Sequence, residues 1–303
     1  MNKRRWISCL LAALEISAML MGATGCAANT GPGIFYRVKG GNSEMYLLGS
    51  IHVGNRDLQH FGPHIRRAMK GADVFVFECD TTSPEAQQAV FTYQLGDKPL
   101  REALTPETYA RLEEAAKKTG LSMGLLDRCH PWAVASMLTT LQASDELDAA
   151  RAQDMGIEEA VWAKVKGREV RYLETPEMQL EALRSFSPEL QDAMVLSGCE
   201  LILEPSDNDM DKWPQWWQQG ENPLFIEAYA KENDFASPEL LEEYQSALLT
   251  CRNQRMADSL DKMLQEEGRS FFVTVGLYHL VLPDDSVILN LREKGYIVER
   301  VFQ

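Results

Sequence analysis

Two apolar runs near opposite ends of the chain, MYLLGSIH (Met45 to His52) and FVTVGLYH (Phe272 to His279), constrain the fold most. Each is short, rich in aliphatic, β-branched and aromatic residues, and closes on Gly-x-x-His; such runs read as buried strands. In an α/β sheet these strands are covered, while their carboxyl ends open onto the crevice where ligands bind. An imidazole at that edge is placed for chemistry, and a glycine three residues earlier lets a backbone or a ligand come close. One Gly-x-x-His arises readily by chance. Two in matching context, using two of only five histidines, mark His52 and His279 as partners in one composite polar site.

Around these anchors the chain divides into a β-rich start, a helical middle and a β-rich end. IFYRVKGGNSEMYLLGSIHVG, residues 34–54, reads as two strands around the Gly40-Gly41-Asn42 turn. Pro63 to Lys70 reads as a helix, with Pro63 in its first turn and Gly71 as its stop. The run ADVFVFECD, directly after it, is a third, buried strand. From about residue 83 to 268 the pattern is helical. Thr105-Pro106, Ser187-Pro188 and Ser237-Pro238 are three starts of one kind, a hydroxyl cap before a first-turn proline. EVRYLE (Glu169 to Glu174) interrupts the helices as one more strand, and Trp213, Trp216 and Trp217, at helical spacing, read as packing. SFFVTVGLYH, a helix through about Leu291 and GYIVERVF then repeat strand, helix, strand. The expected fold is α/β (α+β): a central mixed β-sheet built from two βαβ-like halves at the chain ends, with a large helical insertion at about 83–268, all in a single domain over 34–303.

The first residues stand apart from that domain. A basic head (Lys3, Arg4, Arg5), an apolar run and the small residues Ala23-Thr24-Gly25 before Cys26 have the grammar of an export signal. Small residues leading into cysteine imply the lipoprotein type: 1–25 removed, Cys26 diacylated, and 26–33 a tether. Acyl chains hold a soluble domain at a bilayer without a spanning helix. No later run approaches the roughly 18–20 apolar residues that spanning needs. The expected location is the cell envelope or surface, touching membrane only through the N-terminal lipid. A net charge of −15 argues against nucleic acid and anionic headgroups as partners, and leaves cations and basic peptides. Of the cysteines after Cys26, the even set Cys79, Cys129, Cys199 and Cys251 permits disulfides in an oxidising compartment, in three connectivities. No CxxC pair points to a zinc–thiolate site, and buried free thiols are the favoured reading.

The third strand end supplies an acid. In VFVFECD, Glu78 and Asp80 alternate and so are expected on one side of the strand. A buried carboxylate needs a partner, and a metal or an arginine serves. Two histidines and a carboxylate make a familiar set for a divalent ion with open positions. Such an ion lowers the pKa of a bound water from 15.7 to roughly 7 and polarises a carbonyl. Simple pairing of Glu78 with an arginine such as Arg252 is the alternative. His60 and His64 are four apart, but Pro63 lies between them and no glutamate follows His60, so HExxH is absent and they read as loop residues near the site. His130, before Pro131, reads as structural, and Asp284-Asp285 as the cap or start of the last helix.

In order and spacing, the runs YLLGSIHVG, FVFECD, CRNQRMADSL and FFVTVGLYHL followed by GYIVERV resemble the TraB/PrgY/GumN family, which includes the Tiki-type metalloproteases and the PrgY pheromone-shutdown proteins. The likeness runs from about Phe35 to Val301. In Tiki-type members the two GxxH motifs and an acidic residue form a divalent-metal centre that hydrolyses peptide bonds. The resemblance therefore implies a lipid-tethered metallohydrolase (Mn, Co or Zn) acting on a peptide or protein. His52 and His279 are then metal ligands, and Glu78 a third ligand or the general base. Arg252 and Asn253 match the family's Arg-Asn pair, to orient the carboxylate or stabilise an oxyanion. Pheromone-shutdown relatives imply instead a non-catalytic surface protein that captures a peptide signal. The distantly similar erythromycin-esterase type implies metal-free hydrolysis, with a histidine base and Glu78 as its orienter. The chain departs from the family pattern at Ser50, usually Thr, and at Cys251, often an acid. It departs again after His279, where Leu-Val-Leu-Pro-Asp-Asp stands for Leu-x-Gly; that loop is where altered specificity is expected.

Overall fold

The structure is a computed structural model that describes residues 31–52, 56–147, 156–204, 209, 212–232 and 237–302. The expected leader and Cys26 lie outside the described residues. Among the described residues, no helix is long and apolar enough to cross a membrane.

The chain opens with strands β1 (Phe35–Lys39) and β2 (Glu44–Ser50), helix α1 (Pro63–Gly71) and strand β3 (Val74–Phe77). Gly40, at φ +104°, takes the left-handed conformation that the β1–β2 turn needs. Six helices come next: α2 (Pro84–Gln94), α3 (Leu100–Ala103), α4 (Pro106–Thr119), α5 (Met123–Leu126), α6 (Pro131–Leu147) and α7 (Ile157–Val165). After β4 (Glu169–Tyr172) come α8 (Pro176–Arg184), α9 (Pro188–Leu203), α10 (Trp213–Gln219), α11 (Asn222–Glu232), α12 (Pro238–Gln245) and α13 (Cys251–Leu264). The chain ends with β5 (Ser270–Gly276), the single turn α14 (Tyr278–Val281), α15 (Val287–Glu293) and β6 (Ile297–Arg300). Thr105, Thr175 and Ser187 cap α4, α8 and α9 by accepting the amides of Thr108, Met178 and Leu190. Ser237 caps α12 by accepting from Glu239, two residues on instead of three.

The six strands lie in the order β4-β3-β5-β2-β1-β6. β2, β5, β3 and β4 are mutually parallel, and β1 runs antiparallel to both of its neighbours, β2 and β6. The two βαβ units are thus not side by side, as strand-helix-strand at each end would suggest, but interleaved. β5 inserts between β2 and β3, and β6 returns to the far edge. Burial explains the order. Phe271, Phe272, Val273 and Val275 leave β5 without a polar face, so it takes the centre. β4 and β6, which carry Glu169, Arg171, Glu299 and Arg300, tolerate the edges.

Phe272 packs with Phe35 and Phe75 on the face covered by α1 and α7, where Phe77 stacks on Trp162 with ring centroids 4.4 Å apart. Phe271, its alternate, lies under the Arg171 guanidinium, which reaches across to Glu266 beyond the end of α13. Met256, Leu260, Val287 and Leu291 bring α13 and α15 into the same sheet core. A second core forms away from the sheet, where Leu112, Val134, Leu138, Val195 and Cys199 join α4, α6 and α9. Gly198 permits the close α6–α9 approach, since a Cβ there would stand 3.1 Å from Leu138 Cβ.

One local expectation needs correction, the place of His64. Residues 31–33 pack on the domain: the Gly33 amide donates to Gln218 O at 3.4 Å, and Pro32 O bonds His64 Nε2 at 3.0 Å. His64 is accordingly a buried residue of α1 packed against Phe35, not a loop residue near the strand ends. The tryptophans do pack, yet Trp217 also donates from Nε1 to Gly49 O at 2.7 Å and so fastens the end of β2. Cys79, Cys129, Cys199 and Cys251 are free thiols, Cys79 and Cys199 buried and Cys251 exposed.

Candidate active site at the strand ends

Because β2, β3, β4 and β5 share one direction, their carboxyl ends meet at one edge of the sheet. That edge collects His52 just past β2, Glu78 just past β3, Glu174 just past β4, and His279 on the α14 turn after β5. The two Gly-x-x-His glycines serve different ends there. At Gly276 a Cβ would stand 3.1 Å from Glu78 Oε1 and 3.6 Å from His279 Cδ2, so glycine leaves room for the carboxylate. The Gly276 amide donates to Glu78 Oε1 at 2.5 Å. At Gly49 the neighbours are Ile34 Cγ2, 2.8 Å from such a Cβ, and Leu277 Cβ, at 3.1 Å. The first glycine answers to core packing, not to a ligand.

His279 is held in one tautomer. Its Nδ1 lies 2.7 Å from Asn253 Oδ1, and Asn253 Nδ2 donates to Asp285 Oδ1 at 3.0 Å. An ionised carboxylate only accepts, so the amide nitrogen faces Asp285 and the amide oxygen faces the ring, which therefore carries its proton on Nδ1. Nε2 keeps its lone pair, 3.9 Å from Glu78 Oε1. Burial holds the ring below the usual histidine value against the upward pull of Glu78. It is neutral at pH 7.

Glu78 is the opposite case. Burial alone would raise its carboxyl, but the His279 ring, protonated in the acid range where Glu78 titrates, the Arg252 guanidinium and the Gly276 amide outweigh that and hold it at about 2. Its Oε2 accepts from Arg252 Nη2 at 2.8 Å and from Gln179 Nε2 at 3.3 Å. Arg252 bridges onward to the fully buried Glu174 side chain, with Nε and Nη2 at 2.9 and 2.8 Å from Oε2. Glu174 also receives Arg255 and Gln179, each at 3.3 Å. A π-helical turn over Ser246–Thr250 sits between α12 and α13 and ends at Cys251, immediately before Arg252 and Asn253. Such turns insert a residue and so re-aim the side chains beyond them. Here both residues are buried, and they address different members of the site.

The start of α7 closes the edge beside His52. The Ile157 amide donates to Ile51 O at 3.1 Å, and a Cβ at Gly156 would stand 2.9 Å from His52 O. His52 itself is exposed. Glu158, in the first turn of α7, has its carboxyl raised to about 7 by burial, with His52 opposing and Glu78 and Glu159 adding to the rise. Sequence reasoning missed Glu158, Glu174 and Gln179. Glu174 had a signal, since EVRYLE is another strand that ends on an acid. An acid in a helix's first turn, as at Glu158, reads as ordinary dipole pairing. Nothing local singles out Gln179.

Other candidates fall elsewhere. Asp80 turns away from Glu78 because the strand stops at Phe77; its Oδ1 accepts the amides of Thr82 and Ser83 ahead of α2. Asp285 does not cap the last helix, a role taken by Ser286 through the Leu289 amide, and serves Asn253 instead. His60 is exposed beyond the short 3-10 turn Arg56–Gln59. His130 precedes α6 as a structural residue, its amide donating to Gln94 O at 2.8 Å.

For a divalent ion the predicted donors are not arranged to converge. No group of three His, Cys, Asp or Glu among the described residues stands close enough to hold one. The Glu78 oxygens already accept from an amide, a guanidinium and a carboxamide. As placed, His52, His279 and Glu78 do not fit a metal, and the cation that meets Glu78 is Arg252.

Comparison with known proteins adds a family. The model of the TraB/PrgY/gumN family matches residues 34–300. A protein of Escherichia coli (strain K12) described as "Uncharacterized protein YbaP" is 25% identical over 252 residues, 79% of this chain and 85% of that protein. The protein of the same description from Shigella flexneri is similar to the same extent, 25% over 252 residues. No solved structure matches the chain.

Proposed function

This chain belongs to the TraB/PrgY/gumN family, and we propose that it is a hydrolase of polypeptides whose reaction runs at the carboxyl ends of β2, β3 and β5. One observation carries the reading: Asp285 and Asn253 fix a neutral imidazole whose unprotonated Nε2 points into the polar edge, 3.9 Å from Glu78. A base so oriented takes a proton from water as the water's oxygen attacks a carbonyl carbon. The imidazolium that forms is stabilised by the Glu78 carboxylate, which Arg252 and Gly276 keep ionised. Glu158, which titrates at about 7, hands its proton to the leaving amine as the C–N bond breaks. The proton on His279 then returns to Glu158 through solvent at the exposed edge, which restores both groups.

A second reading has one observation in its favour. A histidine that donates Nδ1–H to a carbonyl and offers Nε2 is also how a metal ligand is oriented. A bound Mn, Co or Zn ion would supply a water of lowered pKa there. The donor arrangement at Glu78 speaks for the metal-free form. Location belongs to the proposal as well: export, with Cys26 lipidated and the domain at the cell envelope. Cys26→Ser is expected to release the protein from the membrane fraction.

The deciding experiment incubates the purified protein with a mixed peptide library and reads new termini by mass spectrometry, with and without EDTA. Cleavage that persists in EDTA and falls at least ~100-fold in His279→Ala, the scale of lost general-base catalysis, is the expected result. Loss in EDTA with recovery on adding metal selects the second reading. Peptide retained but recovered uncut would leave a binding protein in place of a hydrolase.

A further inference from the structure

The cation at the heart of this site belongs to the chain. We infer that Arg252 occupies the electrostatic place of a divalent ion, so that the native centre excludes metal and releasing Arg252 opens it to one. The inference concerns ion occupancy and stands or falls apart from the hydrolase reading.

The two carboxylates nearest Arg252 are matched by two guanidinium groups. Glu78 and Glu174 face Arg252 and Arg255, with Arg252 Nη2 2.8 Å from one oxygen of each carboxylate and Arg255 Nη2 3.3 Å from the other Glu174 oxygen. Arg252 is only 11% exposed in its side chain and Glu174 not at all, so neither charge can be left to water. A divalent ion bound by Glu78 and His279 would stand against a fixed guanidinium in a poorly solvated setting, where like charges repel strongly. The guanidinium has little freedom to withdraw. Beyond its two carboxylates, Nη1 reaches Leu248 O at 3.4 Å, a carbonyl of the π-helical turn that sets α13. If the arginine is neutralised, the same carboxylates lose their counter-charge while His279 still offers Nε2. The vacated edge then has the ligand chemistry of a divalent-ion site.

The test measures metal, not turnover. Full-length protein and variants are dialysed against 0.1 mM MnCl2, CoCl2 or ZnCl2, desalted and analysed by elemental mass spectrometry, with cobalt visible absorption as a second signal. Wild type is expected to retain less than about a tenth of an equivalent. Arg252→Gln is expected to take up close to one, and to lose it again when combined with His279→Ala. Because Arg252→Gln strands Glu174, the pair Arg252→Gln with Glu174→Gln removes the buried charges together, and circular dichroism reports its fold. Near-stoichiometric metal in wild type that disappears in His279→Ala overturns the inference without any arginine variant. So does a folded double variant that binds no metal.

Discussion

At the scale of single residues, the site is a set of side chains whose states are decided by their neighbours. Asn253 is the clearest case. Truncating it strands the His279 Nδ1–H and a lone pair of Asp285, and an unsatisfied buried group costs about 1–3 kcal/mol. Asn253→Ala should therefore lower the stability measured by urea unfolding by that amount, and the nitrogen NMR shifts of His279 should lose their fixed Nδ1–H pattern; an unchanged tautomer would refute the relay. Gly276→Ala puts a methyl against Glu78 Oε1 and should cost about 1–3 kcal/mol, as overpacking does. The same change at Gly49 strains only Ile34 and Leu277, so it should lower stability while leaving the Glu78–Arg252 pair in place, which crystal structures of the two variants would show. Glu158 and Glu78 shift in opposite directions. Glu158 binds its proton more tightly when folded, so its contribution is full below about 4.5 and is lost as the pH rises through about 7. Glu78 is depressed, so its contribution is present above about 4.5 and is lost as the pH falls toward about 2. Glu158→Gln should flatten stability between pH 5 and 7 and leave the acid limb untouched.

At the scale of elements, caps and turns aim these residues. Thr175 ends the stretch that carries Glu174 and caps α8, which presents Gln179 to both Glu78 and Glu174. Thr175→Ala should cost about 1 kcal/mol, the usual worth of a hydroxyl cap, and should raise amide exchange in the first turn of α8 more than in α9. The π-helical turn before α13 does the same service for Arg252 and Asn253. Its sequence, Ser246-Ala-Leu-Leu-Thr250, has no feature that separates it from an ordinary helix, so it is decided by how α12 and α13 must each pack.

At the scale of the whole molecule, the two largest hydrophobic cores among the described residues are separate. The sheet core holds the strand ends, and the α4–α6–α9 core is built from helices alone. The two clusters are separate, and units of that kind open with free energies of their own. Hydrogen exchange should release α4, α6 and α9 before β2, β3 and β5; simultaneous release would mean that the helical unit has no separate stability.

The strands, the capped helices, the helical middle and the two histidines with Glu78 are legible in the sequence, because each rests on local pattern: burial along a strand, a hydroxyl before proline, a residue at a strand's exit. The order of strands is not, since only competition among all six for the buried centre places β5 between β2 and β3. Nor is the company each site residue keeps. Glu174 comes to Arg252, and Asp285 to Asn253, through contacts between distant segments, and Glu158 acquires its high pKa only when α7 docks against the end of β2. Sequence by itself determined that His52, Glu78 and His279 stand at the exits of their strands. Tertiary structure decided how they are charged and partnered there, because a side chain's protonation and its counter-ion are set by burial and by groups that the chain brings together only when it folds.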